Sequence, residues 1–166
     1  MKKMLAAVLM SVTLAAGITA GQAGVAEALP VSVSAPSVTQ SAQSSYTFSR
    51  QVVSLVNKQR AKAGLKPLTL STKLSAVAKA KAIDMYKKDY FDHNSPVYGS
   101  PFDMMKAFGV TFRYAGENIA SGYKTPEDVM KAWMNSPGHR ANIMNKNFTT
   151  IGMGYFNGEW VQHFTG

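Results

Sequence analysis

The chain has 166 residues, 46% of them hydrophobic, with 18 basic and 9 acidic side chains and a net charge of +9. It contains no cysteine, which excludes a disulfide framework, a cysteine nucleophile and lipid attachment at an N-terminal cysteine. On an exported chain, that charge favours anionic wall polymers, membrane surfaces or nucleic acid, with a solvated basic surface as the plain alternative.

Lys2 and Lys3 precede an uncharged run from Met4 to Ala26, and Ala26-Glu27-Ala28 supplies a small-x-small cleavage site. Residues 1–28 are therefore read as a signal peptide, with Ala23 as a competing cleavage position. Ser11, Thr13, Gly17 and Thr19 dilute the apolar run, which favours cleavage over an uncleaved anchor. Residues 29–46, rich in Ser, Val, Ala, Thr and Gln with Pro30 and Pro36, read as a flexible linker ahead of a domain at 47–166.

Within that domain, Val52, Leu55, Val56 and Gln59 share one helical face, and Gly64 stands where a helix would end, predicting a helix over 48–63. Ser71 caps a second helix with Leu74, Val77, Ala78, Ala82 and Met85 on its apolar face. Lys79, Lys81, Lys87 and Lys88 read as its solvated side, so no nucleic-acid partner is expected. Ser100-Pro101 and Thr125-Pro126 each pair a capping hydroxyl with proline at the first helical position and an acid three residues after the cap, Asp103 and Asp128. Ser136-Pro137-Gly138 ends one helix and can start another. Ile151, Met153 and Tyr155 alternate, Asn157-Gly158 forms a turn, and Trp160, Gln162 and Phe164 alternate on the return: a terminal β-hairpin. Helices interleaved with strands at this length predict an α+β domain.

Three segments carry candidate chemistry. AGENIASG, residues 115–122, isolates Glu117 from any charge closer than Arg113. AWMNSPGHRANIMN, residues 132–145, sets His139 and Arg140 at a helix junction. YFDHNSP, residues 90–96, carries His93 beside Asp92. Polar groups on such junctions are commonly functional. His163, flanked by Gln162 and Phe164 on the last strand, reads as a half-buried structural histidine with Gln162 on the opposite face. Tyr155 and Trp160 read as cross-strand packing or as walls of a sugar groove. No HExxH, Gly-x-Ser-x-Gly or phosphate-cradling loop is present. Glycoside hydrolysis by two carboxylates would have to pair Glu117 with Asp92.

These segments, together with residues 52–85, 90–110 and 148–164, resemble the CAP superfamily of cysteine-rich secretory, antigen 5 and pathogenesis-related 1 proteins, also called SCP, in its short bacterial secreted form. The resemblance covers nearly all of the chain after residue 47. It implies a three-layer α-β-α sandwich with a central antiparallel sheet and a polar groove in which His93 faces Glu117. An imidazole beside a carboxylate serves as a general base or as half of a metal site. Larger members have two histidines and two glutamates there. This sequence departs from that pattern, placing Ser136 near the second glutamate position and Asn147 at the second histidine position. The resemblance thus implies a groove of His93, Glu117, Ser136, His139, Arg140 and Asn147. His139 re-supplies an imidazole or buttresses the loop, and Arg140 grips a ligand anion or pins Glu117.

His93, Glu117 and His139 make at most an open site for Zn2+ or another divalent cation, so the metal-free protein is expected to stay folded. Glu117→Ala is expected to weaken metal uptake with little change in melting temperature. Three functions follow as expectations: a secreted or cell-wall-associated monomer that binds a ligand such as an anionic wall polymer; a peptidoglycan hydrolase using Glu117 with His93 or His139; or, by resemblance alone, a lipid- or sterol-binding protein.

Overall fold

Helix α1, Val38–Lys62, opens the described part of the chain, residues 38–166 of a computed structural model. The predicted signal peptide and residues 29–37 of the predicted linker lie outside the described residues. Residues 38–46, expected as an extended tether, are helical instead. After Pro36 that stretch holds neither proline nor glycine, so nothing local stops the helix growing backward from its amphipathic turns. Gly64, at φ 69°, ends the helix, and the Leu65 N–H donates to the Arg60 carbonyl.

The remaining elements are strand β1 Thr69–Leu70, helices α2 Thr72–Lys88 and α3 Pro101–Ala107, strand β2 Ala115–Ser121, helices α4 Pro126–Asn135 and α5 Pro137–Ile143, and strands β3 Thr150–Phe156 and β4 Glu159–Thr165. Local chemistry sets several boundaries. Ser100 and Asp103 close a reciprocal capping box on α3, and Thr125 caps α4. Asn157 and Gly158, both at positive φ, make the hairpin turn between β3 and β4.

The sheet runs β1-β3-β4-β2. It is mixed rather than wholly antiparallel, because the two-residue β1 pairs parallel to β3. Strand alternation gives each face its own layer. Ile151, Met153, Trp160 and Phe164 pack with Val52, Val56, Val129, Trp133 and Ile143 of α1, α4 and α5. On the other face, Ile119 and Val161 meet Ala78, Ala82 and Met85 of α2, while α3 adds Met104 and Met105 against Leu74 and Val77.

Gly152 and Gly154 set how closely α2 lies on the sheet. A Cβ on either would stand 2.3 Å from the backbone carbonyl carbon of Leu74 or Ala78 respectively. Two residues along a strand span nearly the same rise as four along a helix, so the two glycines meet successive turns of α2. Among the described residues no helix is long and apolar enough to cross a membrane.

Candidate functional site

β2 is an edge strand, and its alternating side chains divide the site. Glu117 points to the α2 face, where its Oε1 accepts from His93 Nδ1 at 2.6 Å and its Oε2 from His163 Nε2 at 2.8 Å. The Glu117 side chain is 2% exposed and that of His93 52%. Burial pushes the Glu117 carboxyl up, but the hydrogen bonds from His163 and His93 and the nearby Lys81 charge outweigh it and hold the group below its ordinary value. The hydrogen bond to Glu117 is the main reason His93 is raised, against partial desolvation. An ionised carboxylate only accepts, so both ring nitrogens facing it carry hydrogen. His93 Nε2 is left uncommitted to Glu117.

α2 positions the loop that carries His93. Lys81 is fully buried and donates from Nζ to the Asp92 carbonyl at 2.7 Å, the His93 carbonyl at 2.8 Å and Tyr90 Oη at 3.2 Å. Three residues on, Asp84 accepts from Tyr90 Oη and from Ser95 Oγ. Desolvation lowers the Lys81 ammonium, opposed by the charges of Glu117, Asp84 and Asp92. The same burial, with the bond to Asp84, pushes the Tyr90 hydroxyl up. The expected lysine-decorated solvent face of the second helix is thus wrong for Lys81: residues 89–95 fold over that position, and carbonyl oxygens replace water around the ammonium.

Asn118 points the other way, donating from Nδ2 to the His139 carbonyl at 3.1 Å and to Gln162 Oε1 at 3.0 Å. Asn142 Nδ2 donates to the Glu117 carbonyl at 3.0 Å, and Trp133 Nε1 to the Ile119 carbonyl at 3.2 Å. The segment from Trp133 to Asn142 therefore satisfies the open edge of β2, which is how α5 is brought beside Glu117.

A cavity of about 500 Å³ lies here, lined among others by His93, Ser136, His139, Phe91, Tyr123 and Trp133. His139 is lowered by burial and by the proximity of His93, which favours its neutral form. Arg140 and Asn147 do not line the cavity, correcting their expected place in the groove. Both are exposed. One residue beyond His139, the helical rotation carries Arg140 outward, and Asn147 lies in the turn before β3, its N–H donating to Asn145 Oδ1.

The three-ligand set of His93, Glu117 and His139 is not assembled. Both Glu117 oxygens are bonded to imidazoles, and among the described residues no three His, Asp or Glu side chains converge as a metal-binding group. Glu117 instead orients His93 in the way a carboxylate orients a histidine ligand.

Sequence reasoning missed His163 as a partner of Glu117, and the loop-holding Lys81. For His163 the available signal was its alternation on β4, which becomes informative only once β4 is known to pair with β2.

Compared with known proteins, residues 53–164 match the profile of CAP, the cysteine-rich secretory protein family. The chain is 55% identical over 140 residues to YkwD of Bacillus subtilis, an uncharacterized protein, covering 82% of this chain and 54% of the relative. It is 36% identical over 118 residues to YlbC, described as a membrane protein of the same organism, covering 71% of this chain and 34% of YlbC. The chain thus spans about half or less of these curated relatives. Among solved structures it resembles an SCP-domain extracellular protein from Bacillus anthracis, with a TM-score of 0.76 and 30% identity, covering 79% of this chain and 44% of that one. It also resembles an outer surface protein from Borrelia burgdorferi, with a TM-score of 0.65 and 25% identity, covering 70% of this chain and 90% of that one.

Proposed function

The chain belongs to the cysteine-rich secretory protein (CAP) family, and from that membership and the geometry around Glu117 we propose that it is an extracellular domain that binds its ligand in the His93 cavity without cleaving it. The extracellular part rests on the Lys2-Lys3 leader with its small-x-small site, and on the extracellular and outer-surface descriptions of its structural relatives.

The observation that carries the binding reading is the double hydrogen bond at Glu117. A hydrolytic general acid needs a protonated carboxyl whose oxygen can reach the substrate. Glu117 is buried, ionised and bonded through both oxygens, so it fixes His93 rather than donating a proton. The polar side chains that line the cavity are Asp92, His93, Ser121, Tyr123, Ser136 and His139, which can recognise polar groups; the Ser121 hydroxyl is bonded to Glu159 rather than to a histidine. Without Lys2, Lys3 and Glu27 of the predicted leader the chain keeps 16 basic and 8 acidic side chains, and that excess supports an anionic wall polymer as the surrounding medium.

Incubation with peptidoglycan sacculi tests this reading. The protein is expected to sediment with the sacculi, to release no soluble fragments detectable by mass spectrometry, and to sediment severalfold less as His93→Ala. Fragments that disappear with His93→Ala would establish a hydrolase instead, and failure to sediment would remove wall binding.

A further inference from the structure

Two large aromatic residues at the cavity are exposed, Phe91 by 54% and Tyr123 by 37%. Of the other exposed aromatics, Tyr86 sits edge-on to Phe156, Phe102 lies against Phe112 and Tyr46 is under the Arg50 guanidinium, while Tyr114 does not line the cavity. Phe91 and Tyr123 instead line the same cavity as His93 and His139, and they come from different loops.

Their backbones are held although their rings are not. Phe91 lies between Tyr90, whose N–H donates to the Met85 carbonyl and whose hydroxyl meets Lys81 and Asp84, and Asp92, whose carbonyl accepts from Lys81. The Tyr123 carbonyl accepts from Trp160 Nε1 at 2.9 Å, and the preceding Gly122 N–H donates to Gly158. An apolar ring on a pinned backbone loses little conformational freedom when a ligand covers it.

Resting on the binding reading above, we propose that the cavity takes a saccharide chain, with Phe91 and Tyr123 as stacking platforms for pyranose rings and His93, His139 and Ser136 as hydroxyl partners. The chemistry matches from both sides. A pyranose presents a face of C–H bonds that suits the electron-rich face of an aromatic ring, and a rim of hydroxyls that needs donors and acceptors. His93 Nε2 and His139 offer such groups, as does the Ser136 hydroxyl, which makes no capping bond to α5. Trp133 contributes to the same cavity as an immobile wall, its own N–H spent on the Ile119 carbonyl.

The test uses soluble N-acetylglucosamine oligomers as the probe, titrated into the protein by calorimetry and followed by NMR at the His93, His139 and Trp133 side chains. Saturable binding is expected, with those resonances shifting. Phe91→Ala and Tyr123→Ala should each weaken it by roughly tenfold with an unchanged melting temperature. Tyr86→Ala, which removes an exposed ring away from the cavity, should leave affinity unchanged. No shift at millimolar oligomer, or full affinity in both Phe91→Ala and Tyr123→Ala, would overturn the proposal. Sacculi that sediment the protein while oligomers fail would sink the saccharide assignment alone; failure of both would remove the binding reading with it.

Discussion

His163 stands directly opposite Glu117 in the β2–β4 ladder and donates from Nε2 to its carboxylate at 2.8 Å, inside the protein. This makes the carboxylate part of the fold as well as part of the site. Glu117→Ala, expected from sequence to leave stability nearly unchanged, should instead lower it by about 3 kcal/mol, because a buried imidazole loses its partner. Denaturant unfolding of the variant checks this, and a loss below about 1 kcal/mol would mean that Glu117 contributes little to folding.

Stability should depend on pH in two opposing directions. Glu117 is held below its ordinary 4.5 in the folded state, so its contribution is present above that value and is lost as pH falls through the folded one. His93 is raised above 6.5, so its contribution is complete below that value and is lost as pH rises through the folded one. The joint contribution of Glu117 and His93 should therefore be largest between roughly pH 4.5 and 6.5. It is opposed there by His139, whose lowered value costs stability as it takes up a proton. In melting-temperature profiles, Glu117→Gln should flatten the Glu117 and His93 limbs.

Lys81→Met should loosen residues 90–95, since two carbonyls and a tyrosine hydroxyl lose their donor. The expected cost is about 2 to 4 kcal/mol. Hydrogen exchange localises it: amides of the His93 loop should exchange faster, while those of β3 and β4 follow only the global change. Uniform acceleration would contradict the loop-holding role.

Gly154→Ala should destabilise by about 3 kcal/mol or more, because its methyl would meet the backbone of α2 and not a movable side chain. Gly138→Ala is the matched control. It has open space around its Cβ position and lies in α5, so it should be neutral or stabilising by about 0.5 kcal/mol. Thermal melts of the two variants compare them directly.

Chelation should leave the melting temperature unchanged, because no described group of three ligands is assembled to tie the fold to a metal. Zinc titration should show only weak uptake, rising with pH as His93 loses its proton and removed in the His93→Ala, His139→Ala double variant. A large drop in melting temperature on chelation would show a structural metal instead.

The capping residues Ser100 and Thr125, the Asn157-Gly158 turn and the alternation of β3 and β4 were legible in the chain, because each is a local rule acting over a few residues. The pairing of His93 with Glu117 was legible only through family resemblance; nothing in their spacing of 24 residues implies contact. The two-residue β1 was invisible for a related reason, since two residues carry no period. The partners of Glu117 and the burial of Lys81 were decided by tertiary structure. The 46-residue separation of Glu117 from His163 becomes an adjacency only when β2 takes its register on β4. A lysine on an amphipathic helix meets water or carbonyl oxygens according to whether a distant loop folds over it. Local propensity is written in neighbouring residues, whereas burial and register are properties of the assembled layers.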